Sequence, residues 1–373
     1  MRRLHFILGM YIFFTAGICS GQINYPFLDT EANRDIQAYW YNVPQASVDS
    51  GVAGTMDIQS ALHVYGMMPA DLFQVEVEVY YKKGKLVFKK KFEVNKAEKS
   101  DFVQFKDGFF KLIQPVECLE ENPEKVTVII TSDGEKRKKE IRCRYHKLFG
   151  RLTDFEGDPV EGFVFVCPDA FARSKLGVIT DKNGNYEVVL PERTYNSIIA
   201  NTAQYGISRL EAWAWHIIID GEQQLDFKIG NGEVYNLNVW ANTYKRSYLI
   251  SFRPMELFLG MKNENTTVHL NGRDFQIGVW ISELEISDVQ VTINGKDAEI
   301  LSFQKYYETQ SSNAGCIAYI IQVKRSDEHG FTGKQTVMVS YEKTVEMGGK
   351  KRVVNSVGYY QLYLNFTGLT KYY

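Results

Sequence analysis

Gln74-Val75-Glu76-Val77-Glu78-Val79-Tyr80-Tyr81 alternates polar and apolar side chains with a period of two. In an extended chain that period puts the valines on one face, so the stretch reads as a half-buried antiparallel strand. Lys82-Lys83-Gly84-Lys85 turns the chain, and Leu86, Phe88 and Phe92 resume on a second strand. Lys125–Thr131 and Arg137–Tyr145 repeat the pattern around Ser132-Asp133-Gly134, and Val289, Val291 and Ile293 run into Asn294-Gly295. Asp-Gly and Asn-Gly supply the positive φ that a tight hairpin turn requires. No window holds a 3.6-residue apolar period over helical length. Short strands with a turn every ten residues or so predict an all-β chain built of sandwiches.

The 373 residues exceed one ordinary domain. With 45% hydrophobic and 24% charged residues the chain can bury real cores. A formal charge of −2 gives no electrostatic case for nucleic acid. Arg2 and Arg3 precede an uncharged, largely apolar run, Phe6 to Ile18. That run is shorter than the roughly 20 residues a membrane span needs and matches a signal peptide, 1–21, cleaved before Gln22. Cys19 after the run also allows a lipoprotein reading, but Ile18 stands where a small residue is wanted. No later stretch reaches the length of a transmembrane span.

Punctuation and charge divide the mature chain into three consecutive β-sandwiches: an Ig-like domain at 22–147, a more acidic one at 148–245 and a third at 246–373. The middle one carries a recognisable pattern. It opens Gly150-Arg-Leu-Thr-Asp154-Phe-Glu-Gly157-Asp-Pro159-Val160-Glu-Gly162 and continues Gly177-Val-Ile-Thr180-Asp181-Lys-Asn-Gly184-Asn-Tyr186-Glu-Val188-Val-Leu190-Pro191. Asp154 and Gly157 suit a tight turn. Pro159 sits at a strand start, where no ladder donor is needed. Tyr186, Val188 and Leu190 point one way into a core. These blocks resemble the carboxypeptidase regulatory-like domain, a transthyretin-like sandwich. The resemblance implies a fold and no catalysis, because that domain accompanies zinc carboxypeptidases without being their catalytic part.

Candidate sites are few. Glu211, Trp213 and Trp215 lie two apart on a strand and share a face. Two coplanar indoles can stack on sugar rings or fill a core, and exposed tryptophans would favour the first. Asp181-Lys-Asn183-Gly184-Asn185 alternates oxygen ligands, but glycine stands too early for an EF-type loop, so hairpin chemistry is the expectation. Lys82–Lys106 and Lys136–Lys147 are rich in lysine and arginine and read as solvated faces guarding edge strands, or else as a docking patch for an anionic surface. Cys118 and Cys143 bracket a hairpin and either bridge in an oxidising compartment or remain free thiols. Cys167 and Cys316 read as small core residues.

No nucleophile elbow, His-Glu-x-x-His or phosphate loop occurs, and none of the histidines is followed three residues on by Glu. No metal centre and no cofactor are expected. The sequence therefore reads as an exported, non-enzymatic binding or scaffolding protein of the periplasm, cell surface or extracellular space. Its expected partner is a glycan or another envelope protein. The alternatives are a glycan-binding protein using Trp213 and Trp215 or, more remotely, a carbohydrate-active enzyme.

Overall fold

The computed structural model describes residues 36–364, less 69, 98–102, 107, 170–174, 243–245, 263, 282, 310–313, 326–331 and 348. The signal peptide expected at 1–21, with Cys19, lies outside the described residues. The chain is all-β, in sandwich-type layers.

The first sandwich pairs two antiparallel four-stranded sheets. One runs Gln37–Tyr41, Ala61–Met67, Phe109–Pro115, Val103–Lys106; the other runs Glu135–Arg142, Lys125–Ser132, Leu72–Tyr80, Leu86–Asn95. The period-two valines Val75, Val77 and Val79 are fully buried against Trp40, Leu62, Val64, Phe110 and Leu112 of the facing sheet. Each such side chain withdrawn from water contributes about 1.5–3 kcal/mol.

The second sandwich begins inside the strand Tyr145–Thr153, so the expected boundary at 147/148 cuts a strand. That strand pairs with Asn185–Pro191 on one side and with the short strands Gln223–Gln224 and Phe227–Lys228. Gly184, at the turn before Asn185–Pro191, has φ +77°, and any Cβ there would run into the Leu152 carbonyl. Asp181 organises this turn as expected, accepting from the Asn183 and Asn185 amides at 2.8 Å each.

The facing layer is an eight-stranded sheet that belongs to two sandwiches at once. Its order is Leu176–Ile179, Phe163–Cys167, Arg193–Asn201, Ala212–Ile219, Lys350–Leu364, Gly333–Met347, Val289–Ile293, Lys296–Asp297. The join is parallel: Trp213, Ala214 and Trp215 register with Gly358, Tyr359 and Tyr360. A six-stranded sheet covers its later half. That sheet runs Gly232–Asn242, Ser247–Glu256, Ala314–Lys324, Arg273–Gly278, Asn265–Leu270, with Ile300–Thr309 on the other edge of Ala314–Lys324.

The strands on either side of 245/246, Gly232–Asn242 and Ser247–Glu256, pair with each other, and one continuous core spans that point. Among the described residues no helix is long and apolar enough to cross a membrane.

Candidate functional site

Two junctions gather the chemistry-bearing side chains. The first lies on the outer face of the Gln37–Tyr41 sheet. Tyr39 registers with His63, and Tyr65 with Lys111, so these four side chains share the face opposite the core. Asp169, just past Phe163–Cys167, and Arg193, at the start of its strand, approach from the second sandwich. Lys111 Nζ pairs with Asp169 Oδ2 at 2.6 Å, and the Tyr65 hydroxyl donates to the same oxygen at 2.7 Å. Arg193 donates to Asp169 Oδ1 at 3.2 Å, to the Tyr41 hydroxyl at 2.8 Å and to the Pro168 carbonyl at 3.2 Å. Its guanidinium also lies over the Tyr39 ring, 4.4 Å from the centroid. Because Tyr65 spends its proton on Asp169, His63 donates from Nδ1 to the Tyr65 oxygen at 3.1 Å.

Burial pushes the Asp169 carboxyl up, but Arg193 and Lys111 outweigh it and hold it well below the usual range. Burial drives His63 down to about 3, so it stays neutral. A carboxylate pinned by two cations is no general base. The arrangement is a fully satisfied clamp between sandwiches. The hairpin Ala46–Asp49/Thr55–Ile58 adds to it: the Val52 amide donates to the Tyr205 carbonyl at 3.1 Å, and the Gln59 amide to the Lys175 carbonyl at 2.8 Å.

The second junction holds the predicted residues Glu211, Trp213 and Trp215 and does bring them together, inside the protein. Trp213 is 1% and Trp215 8% exposed. Their rings stack with centroids 4.6 Å apart and planes 6° off parallel, and Tyr235 stands edge-on to both, at 5.2 and 5.4 Å. Of the two readings of this pair, sugar platform or core, the structure has the core: its strand is covered on both faces, and Ala212 and Ala214 are as buried as the indoles. Asn201 donates to Glu211 at 2.7 Å. Burial pushes the Glu211 carboxyl up to about 8. Burial, with Glu211 nearby, raises Glu233 well above the carboxylate range. Tyr341 accepts from the Glu233 amide at 3.0 Å and donates to the Met255 carbonyl. His216, at φ +53°, bonds the Gln361 carbonyl from Nδ1 at 2.7 Å, and Gln361 Oε1 accepts from the Ile218 amide at 2.9 Å.

Cys118 and Cys143, read from the sequence as either bridged or free, are both free thiols. Cys118 is exposed beyond the end of one sheet, whereas Cys143 packs half-buried against the core from the other sheet, where burial lifts its thiol to about 11. Cys167 and Cys316 are buried. The lysine-rich strands lie at the two edges of one sheet. There Lys89 pairs with Glu76 and Glu78, and Lys125 and Lys138 pair with Glu140, so part of the charge is locally matched. Among the described residues no group of three or more His, Cys, Asp or Glu could hold a metal ion.

No protein-family model matches the chain, and no curated protein does. The solved structures that match do so at low similarity. A group B streptococcus pilus 2b backbone protein is 8% identical over 50% of this chain and 96% of its own, with a TM-score of 0.19. A marsupial T cell receptor is 6% identical over 86% and 98%, at 0.15, and the cadherin domains 1–4 of protocadherin gamma B7 are 11% identical over 87% and 72%, at 0.14.

Sequence reasoning missed Lys111, Asp169 and Arg193. The available signal was Arg193 opening Arg-Thr-Tyr-Asn-Ser-Ile-Ile-Ala, where it shares a face with Tyr195 and Ile199.

Proposed function

We propose that the chain is an exported, non-enzymatic binding or scaffolding protein of the cell envelope or extracellular space, working as one rigid piece. The observation that carries this reading is that both junctions consume their reactive side chains in holding sandwiches together. Asp169, Arg193 and Lys111 satisfy one another at the first junction, and Glu211, Trp213 and Trp215 are enclosed at the second. Domains that merely abut in sequence move relative to one another unless the interface is large and well packed. Here a buried ion cluster closes one interface and a shared sheet closes the other. The basic start and apolar run before Gln22 support export. The two turn blocks of the middle segment support an accessory transthyretin-like module of the carboxypeptidase regulatory-like type. Another envelope protein is one partner this reading admits.

Cell fractionation with N-terminal sequencing tests the proposal. The expected result is a mature chain beginning at Gln22 in the periplasmic, surface or secreted fraction. An unprocessed chain retained in the cytoplasm overturns export, and a mature chain starting at a lipidated Cys19 places it on a membrane.

A further inference from the structure

The geometry points to a binding platform for neutral carbohydrate on the outer face of the six-stranded sheet, centred on Trp240. Of the five tryptophans, four are between 1% and 8% exposed, and Trp240 is 52% exposed. An indole left in water on a flat strand forgoes a large burial gain, so its surroundings carry weight.

Those surroundings follow from the register. Trp240 pairs with Leu249, Leu249 with Gln322, and Gln322 with Ser302, which makes one row across four strands. The next row on the same face runs from Asn238 through Ser251 and Ile320 to Gln304. The intervening Tyr248, Ile250 and Ile321 point the other way and are fully buried. At ordinary strand and residue spacings the two rows span about 14 Å by 7 Å; Ser251 itself is buried, at 8% exposed, so the open part about Trp240 offers the footprint of about two sugar rings.

No position in these rows is charged. At one end Arg253 forms a bidentate pair with Glu308, and at the other Lys324 Nζ pairs with Glu299 at 3.0 Å. An anionic polysaccharide or a charged peptide finds no complementary charge here. A pyranose does find its match. Its apolar C–H face stacks on an indole, and its hydroxyl rim exchanges hydrogen bonds with amide and hydroxyl side chains such as Asn238, Gln304 and Ser302.

This inference deepens the binding role proposed above and rests on that reading. Its test uses the purified full chain, so a failure of export and a failure of sugar binding are read separately. Isothermal titration with cellohexaose, mannohexaose and xylohexaose is the assay, with heparin as an anionic comparison. At least one neutral hexasaccharide is expected to bind. Trp240→Ala is expected to weaken binding at least about tenfold with an unchanged melting temperature, and Trp240→Tyr to recover most of it. Three results overturn the proposal: no neutral hexasaccharide binds, heparin alone binds, or Trp240→Ala binds as well as the parent. Sedimentation showing a parent dimer that Trp240→Ala dissociates also overturns it, because the face is then a contact between copies of this chain.

Discussion

Lys111 of the first sandwich meets Asp169 of the second at 2.6 Å, with both side chains largely closed off from water. Arg193 lies on the other carboxylate oxygen, and Tyr65 completes the shell. The pair spans an interface, so its disruption reports on how the sandwiches are held and not on either core alone.

Asp169→Asn leaves Lys111 and Arg193 buried without a counter-charge. Breaking one side of a buried ion cluster costs about 3–5 kcal/mol. The urea midpoint of the full chain should fall accordingly, while Lys89→Ala, on an exposed surface pair, should hardly move it. Equal midpoints for Asp169→Asn and the parent would remove the clamp from the account.

The two junctions should answer pH in opposite directions. Asp169 is held low and His63 is driven down to about 3, so the folded state binds fewer protons than the unfolded one in acid. Their contribution is present at neutral pH and drains away below about 6.5 for His63, then through the carboxylate range for Asp169. Glu211 is raised from 4.5 to about 8, so its neutral form suits the fold. That contribution is full below 4.5 and is lost as pH rises toward 8. Between pH 6.5 and 8 Glu211→Gln should therefore flatten a decline that the parent shows in its unfolding midpoint. An identical slope in both proteins would show that Glu211 does not titrate there.

The sequence made the strands legible, and their neighbours much less so. Val75, Val77 and Val79 announce a half-buried strand because one face is wet, and Asp133-Gly134 and Asn294-Gly295 take the positive φ values their turns demand. Ala212–Ile219 gave no such contrast. Both of its faces are covered, so its alanines are packed surface and not solvent face, and the tryptophans could be read either way. Its parallel partner begins more than a hundred residues later, and no local pattern encodes that distance. The first junction draws on His63, Tyr65, Lys111, Asp169 and Arg193 from four separate segments, each unremarkable alone.

Gly184 and Gly134 separate two costs of a side chain at a turn. Both have φ near +78°, at +77° and +79°. A Cβ on Gly134 meets nothing within 4 Å, whereas one on Gly184 would lie 2.2 Å from the Leu152 carbonyl oxygen. Gly134→Ala should cost about 1–2 kcal/mol, from backbone conformation alone. Gly184→Ala should cost clearly more, and Gly184→Val more again, because the strand Tyr145–Thr153 must shift to admit them. Thermal melts of the three variants decide it, and equal losses at the two glycines would mean that the close approach at Leu152 is absent in solution.

The shared sheet makes its own prediction about fragments. A piece covering 148–245 contains the two turn blocks, yet it lacks Lys350–Leu364, which pairs with Ala212–Ile219, and Ser247–Glu256, which pairs with Gly232–Asn242. Removing them uncovers Trp213, Trp215, Val234, Leu237 and Val239, all buried in the whole chain. At about 1.5–3 kcal/mol each, the loss is comparable to the roughly 5–15 kcal/mol that stabilises an ordinary domain. That fragment should aggregate or melt without a transition. A fragment covering 144–364 keeps both pairings and should give β-type circular dichroism and a single cooperative melt, weakened by the loss of Lys111 beside Asp169. A cooperative melt from 148–245 alone would show that the second sandwich closes its own core and that the parallel join at Trp213 and Gly358 is dispensable.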